Sequence, residues 1–169
     1  MKPVSLAVAT VMFSVLCSVA ARAEDTGFDR FDGAWAGKGS VKESASSRRL
    51  KVKCNLTGTH TATHLTLSGA CRTLAVFSRS IGADISYDPA TGAYSGTYTG
   101  ASVGPARLVG HRKGNGVDFD VTWPKPVDGD DKATMQIRNA GKGKFAIRIF
   151  DAPAPGGTPE KMVSLKMAR

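Results

Sequence analysis

The chain has 169 residues, a length that suits one domain with a core of its own, and no internal repeat of fixed period is visible. It contains 23 Lys and Arg against 14 Asp and Glu, a formal net charge of +9. The basic residues are scattered along the chain, which excludes a single basic arm, and no segment after the N-terminal one approaches transmembrane length.

The N-terminal segment has the pattern of a secretory signal peptide. Lys2 precedes an apolar run at 4–20, and a small-x-small cleavage motif follows at 21–23. The alternative is a membrane anchor, but the run is shorter than the roughly 20 residues that span a bilayer, and it ends in a cleavage motif. We therefore expect residues 1–23 to be removed and the protein to be periplasmic or secreted.

Cleavage after Ala23 would leave residues 24–169 as a single domain. The removed segment contains Lys2 and Arg22, so 21 basic and 14 acidic residues remain, a net charge of +7. On an exported protein such a surface would meet anionic envelope polymers or lipid headgroups, and we expect no nucleic acid partner. The simpler alternative is that the charge only keeps the protein in solution.

The rest of the chain alternates apolar and polar residues with a period of two, which is typical of strands with one buried face. Helical periodicity is almost absent. The apolar residues that alternate in this way are, in chain order, Leu50, Val52, Cys54 and Leu56; Leu65 and Leu67; Ile81, Ala83, Ile85 and Tyr87; Val117, Phe119, Val121 and Trp123; Ala133, Met135 and Ile137; Phe145, Ile147 and Ile149; and Val163, Leu165 and Met167.

Short turn motifs separate these runs: DPATG at 88–92, KGNG at 113–116, DGDD at 128–131 and NAGKG at 139–143. Such connections pair neighbouring strands antiparallel. The predicted fold is all-β, a single up-and-down barrel of about 8–10 strands, with a β-sandwich as the alternative. A membrane barrel would have outward apolar residues and strands of about 9–11 residues, whereas we expect mostly shorter strands.

Cys54 and Cys71 are the only cysteines after the expected signal peptide. An oxidising compartment favours a disulfide between them. If the two residues face each other on neighbouring strands, Leu56 faces Gly69 and the turn falls near 61–64. A redox-active pair would have CxxC spacing at a helix N-terminus, so we predict a structural disulfide across a hairpin.

His60 and His64 are weak candidates for metal ligands, because their spacing places two imidazoles near one turn. His111 lies in another predicted turn, and the two thiols are expected to bond each other, so a third ligand is missing. We predict no metal and no cofactor. We also predict no enzyme, because nucleophile elbows, paired carboxylates in aromatic surroundings and phosphate-cradling loops are all missing from the sequence.

Residues Gly33, Ala34 and Trp35 form a Gly-x-Trp motif in the first strand of the predicted barrel. The motif resembles the pattern of lipocalins and the wider calycin group. The resemblance implies that the tryptophan plugs one end of the barrel and packs against an arginine from a late strand. Arg148 and Arg138 are the candidates for that arginine.

The same resemblance implies a small ligand, apolar or amphipathic, inside the barrel. Tyr98 would then orient any polar end of that ligand. The alternative is a filled interior, as in many small barrels. The protein would then be a cell-envelope interaction or structural protein, whose basic outer surface contacts anionic polymer, lipid or a protein partner. The predicted ligand-binding residues are Trp35, Tyr98, Phe119, Trp123, Phe145 and Ile147.

Overall fold

A computed structural model of the chain describes residues 26–73 and 77–169; the expected signal peptide lies outside the described residues. Ten antiparallel strands form a closed barrel in which each strand pairs with the next along the chain and the last pairs with the first. The predicted up-and-down barrel is confirmed. The elements are a 3₁₀ helix (Phe28–Phe31), β1 (Gly33–Val41), β2 (Leu50–His60), β3 (His64–Thr73), β4 (Phe77–Asp88), β5 (Ala93–Thr99), β6 (Ala106–Lys113), β7 (Gly116–Val127), β8 (Asp130–Gly141), β9 (Lys144–Asp151) and β10 (Glu160–Ala168).

The hairpin of β2 and β3 has the predicted register. Cys54 lies opposite Cys71, and Leu56 lies opposite Gly69. The backbone NH of Thr61 donates to the carbonyl of His64, which closes the turn where it was expected. The two Sγ atoms are 2.01 Å apart, at bonding distance, so the predicted disulfide pair is confirmed.

The strands are longer than the sequence analysis predicted. Seven of the ten contain nine or more residues, and at several hairpins pairing continues up to turns of only two or three residues. His111, placed in a turn by the sequence analysis, is part of β6 and lies opposite Asp118 of β7. The predicted apolar face points inward as expected. In the described part of the chain, no helix has the length and apolar character needed to cross a membrane.

The 3₁₀ helix covers one end of the barrel, here called the closed end. Phe28 and Phe31 are buried, and the indole NH of Trp35 donates to the carbonyl oxygen of Phe31 over 2.8 Å. The ring of Phe145 packs edge-on against both Phe31 and Trp35, at centroid distances of 5.3 and 4.7 Å. Residue 58 is glycine because a Cβ atom there would lie 1.9 Å from the Phe31 carbonyl oxygen.

The arginine that packs on Trp35 is Arg169, whose guanidinium carbon lies 4.6 Å from the centroid of the indole ring. The expectation that Arg138 or Arg148 has this position is wrong. Both residues occupy outward-facing positions of their strands, β8 and β9, so neither side chain reaches the interior. Arg138 instead binds the carboxylate of Asp118 on the outer wall.

Reduction of the disulfide should lower the free energy of unfolding by about 3 kcal/mol, because the bond closes a loop of this length in the unfolded chain. The measurement is urea unfolding of the oxidised protein and of the same protein kept in reductant. The double variant Cys54→Ala/Cys71→Ala is the control, since reductant should not change its stability. Equal stability of the oxidised and reduced forms would contradict a structural role for the bond.

Candidate functional site

The half of the barrel away from the 3₁₀ helix, here called the open end, contains a cavity of about 360 Å³. This volume is within the range of ligand pockets and equals that of about a dozen water molecules. The cavity exists because most inward side chains in this half are aliphatic, whereas those of the closed end are largely aromatic. The apolar wall includes Val41, Val52, Ile81, Ile149, Val163 and Leu165.

One carboxylate lies in this apolar wall. Asp151, at the end of β9, is only 3% exposed and is the one charged residue buried among those the structure describes. Its Oδ2 accepts a hydrogen bond of 2.9 Å from the indole NH of Trp123. Its Oδ1 is buried and has no hydrogen-bond partner in the described part of the chain. The carboxylate therefore has one satisfied oxygen and one that lacks a donor.

The surroundings of Asp151 make its ionisation costly. Burial raises the pKa of the carboxyl, and the indole NH of Trp123 and the nearby backbone NH of Ala152 oppose that rise. The carboxylates of Asp130 and Asp128 raise the pKa further, because they add negative charge close to the same group. A donor or a cation placed against the unpartnered oxygen would relieve both effects.

Tyr98 forms another polar part of the wall. Its ring contacts that of Trp123 edge-on, with the centroids 6.4 Å apart. Burial raises the pKa of Tyr98 to about 12, although the positive charge of Arg79 acts in the opposite direction. The phenol therefore stays protonated at neutral pH and can both donate and accept a hydrogen bond.

Two ion pairs between strand ends and one loop lie at the mouth of the cavity. Arg79 Nη2 lies 3.0 Å from Glu43 Oε1, and Lys42 Nζ lies 3.2 Å from Glu160 Oε2. These pairs join β4 and β10 to the loop that follows β1. Phe77, at the same rim, is 77% exposed, so an apolar ring lies next to the opening.

The structure brings two of the six predicted ligand-binding residues, Tyr98 and Trp123, into the cavity wall. Trp35 and Phe145 pack under the 3₁₀ helix at the closed end. Phe119 is buried in the same half of the barrel. The other residue, Ile147, is a partly buried member of the packed interior.

The two histidines that are weak candidates for metal ligands, His60 and His64, contact different carboxylates. His60 Nδ1 lies 3.3 Å from Asp32 Oδ1, whereas His64 Nε2 lies 3.2 Å from Asp84 Oδ2. The other ring nitrogen of His64 lies 3.2 Å from the hydroxyl of Ser86. Within 26–73 and 77–169, no group of three or more His, Cys, Asp and Glu side chains is arranged to hold a metal ion.

The sequence analysis missed Asp151, although the sequence contained a signal for it. The inward alternation of β9 runs through Phe145, Ile147 and Ile149, and one further step reaches Asp151. A carboxylate at an inward position of a strand whose inward face is buried and apolar is rare unless it has a partner. This position marks Asp151 as a candidate functional residue.

Replacement of Asp151 by Asn should change how stability depends on pH. Because the folded state raises the pKa of Asp151, the wild-type protein loses stability as pH rises from the unfolded value, about 3.9, through the folded value. The Asp151→Asn variant cannot ionise at this position and does not lose this stability. Its free energy of unfolding should therefore rise relative to that of the wild type across the same pH range. Urea unfolding between pH 3.5 and 8 measures the difference.

The matched control is Asp120→Asn, which changes an exposed carboxylate on the outer wall of β7. Its stability difference from the wild type should stay nearly constant over the same pH range. A constant difference for Asp151→Asn as well would contradict the raised pKa.

No protein-family profile matches the chain, and no curated protein matches it. Among solved structures, the chain is similar to Rv2717c from M. tuberculosis, with a TM-score of 0.66 and 16% sequence identity. The similarity covers 88% of this chain and 98% of that chain. At this identity the similarity shows a shared barrel fold over nearly the full length of the other protein.

Proposed function

We propose that this is a binding protein that holds one small, mostly apolar ligand in the cavity at the open end. The observation that carries the proposal is the unpartnered Oδ1 of Asp151 in the cavity wall. A buried polar oxygen without a hydrogen bond costs about 1–3 kcal/mol, and more when it is charged. A donor group on a ligand would offset that cost.

The surroundings of Asp151 favour an amine as the donor. The carboxylates of Asp128 and Asp130 add negative potential at this site, so a positive group gains more than a neutral hydroxyl. The cations at the mouth, Arg79 and Lys42, are each paired with a glutamate. The ligand that fits best has an apolar body of about a dozen heavy atoms and an ammonium that lies against Asp151.

The proposed activity is binding and not turnover. The side chain that donates to Asp151 is the indole of Trp123, which is neither a nucleophile nor an acid-base partner. We further propose that the protein works outside the cytoplasm. The pairing of Cys54 with Cys71 supports this location, because disulfides persist in oxidising compartments.

Three probes with one ring system test the ligand chemistry: 1-naphthylmethylamine, 1-naphthylmethanol and 1-naphthoic acid. We expect the amine to bind most tightly and the acid least, as measured by calorimetry and by quenching of tryptophan fluorescence. Asp151→Asn should weaken amine binding by about 10- to 150-fold, the loss of one hydrogen bond to a charged group. The affinity for the alcohol should fall less, and the affinity for the acid should not fall.

The matched control is again Asp120→Asn, which removes a carboxylate of the outer wall and should leave all three affinities unchanged. If the acid binds most tightly, or if Asp151→Asn leaves the order unchanged, the assigned role of Asp151 is wrong. If none of the probes binds and native mass spectrometry of gently purified protein shows only the bare chain, the binding function itself is refuted.

A further inference from the structure

Four basic residues that are far apart in the sequence form one row on the outer wall of the barrel. Arg72 of β3 lies opposite Lys53 of β2, and Lys53 lies opposite Lys38 of β1. Lys38 in turn lies opposite Lys166 of β10. All four residues are exposed. Neighbouring strands are about 4.8 Å apart, so the row places four positive charges at nearly regular intervals across four strands.

This row is unfavourable for the isolated protein. Like charges directly opposite each other on neighbouring strands repel. None of the four residues forms an ion pair with any residue in 26–73 or 77–169. The strands β1, β2, β3 and β10 contain a single acidic residue, Glu160, and it pairs with Lys42 at the rim. No acidic side chain in 26–73 or 77–169 neutralises the row, so an anion from another molecule would relieve the repulsion.

A shallow groove runs beside the row on the side of the closed end. Its volume is about 370 Å³, and its outer surface consists mainly of small or short polar side chains. Arg169 lies at the far side of the groove, so positive groups are present on both sides. The short residues that face outward in the groove are Ala34, Ala36, Asn55, Thr57, Ser68 and Ala168.

We propose that this outer wall binds a linear polyanion, an acidic polysaccharide, which lies in the groove with its charges against the row. The proposal concerns the outside of the barrel and does not depend on the ligand proposed for the cavity. The spacing of the cations, about one per strand, is close to the length of one sugar unit. A flexible polymer can also follow the curvature of a barrel wall.

Two other polyanionic partners fit less well. A single-stranded nucleic acid is normally held by aromatic side chains on which its bases stack, and the residues lining the groove present none outward. A bilayer surface normally receives apolar anchors beside the cations, and the outward neighbours here are Ala, Ser, Asn and Thr. The bilayer is also flat, whereas this wall is convex.

A sulfated heparin oligosaccharide of about six sugars, which exceeds the width of four strands, is the probe. If four cations are engaged, its affinity should fall by about 50- to 150-fold between 50 and 200 mM NaCl, with a slope of about −3 in the logarithmic plot. The double variant Lys38→Gln/Lys166→Gln should bind more weakly at low salt and reduce the slope to about −1.5.

The matched control is Arg107→Gln/Lys125→Gln, which removes two exposed cations from β6 and β7 on the opposite side of the ring. It changes the net charge equally and should keep the slope near −3. An equal loss in both double variants would overturn the proposal, because net charge alone would then explain binding. Failure to bind the oligosaccharide, with or without binding to phosphatidylglycerol vesicles, would also overturn it.

The thermal stability of the single variant Lys38→Gln provides a second test, and the direction of its change can be predicted. Lys38→Gln removes two like-charge contacts, with Lys53 and Lys166. Its midpoint of thermal unfolding should rise by about 2–4 °C at low salt, and the rise should shrink at high salt. A lower midpoint at low salt would show that the row stabilises the chain, and the need for an external anion would be refuted.

Discussion

The pairing of β1 with β10 closes the sheet, and this closure determines the width of the interior. An eight-stranded ring leaves a space that side chains just fill, so a ring of ten strands leaves more. The two ends of the barrel fill this additional interior space to different extents. Aromatic rings and an added 3₁₀ helix fill the closed end, whereas aliphatic side chains leave the open end hollow. The cavity is thus a consequence of strand number and side-chain size.

The two ends of the barrel satisfy their buried tryptophan side chains in different ways. At the closed end the indole NH of Trp35 is satisfied by the backbone carbonyl of Phe31, a contact that the 3₁₀ helix supplies. At the open end none of the described residues forms such a segment, and the indole NH of Trp123 binds the carboxylate of Asp151 instead. One tryptophan therefore belongs to a completed structural contact, and the other to a contact with one oxygen still lacking a donor.

Much of the fold was predictable because local patterns determine it. Alternation gave the inward faces, and the cysteine spacing gave the register of β2 and β3. The 3₁₀ helix was not predictable, since four residues are too few to show a period. The row of cations was equally hidden, because Lys38 and Lys166 meet only through the closing pair of strands. Two of six predicted ligand residues reach the cavity, because alternation tells which face a residue lies on, not at which depth.

The hairpin of β2 and β3 links the inner and outer surfaces of the barrel. Its disulfide joins Cys54 to Cys71, and the adjacent opposed pair is Lys53 with Arg72. The repulsion of that pair costs roughly 0.2–1 kcal/mol, whereas a disulfide closing a loop of this size contributes about 3 kcal/mol. The covalent bond therefore outweighs the repulsion beside it. Because Cys71 also lines the cavity, the bond keeps the cavity wall in register, while the outer face of the hairpin presents two like charges side by side.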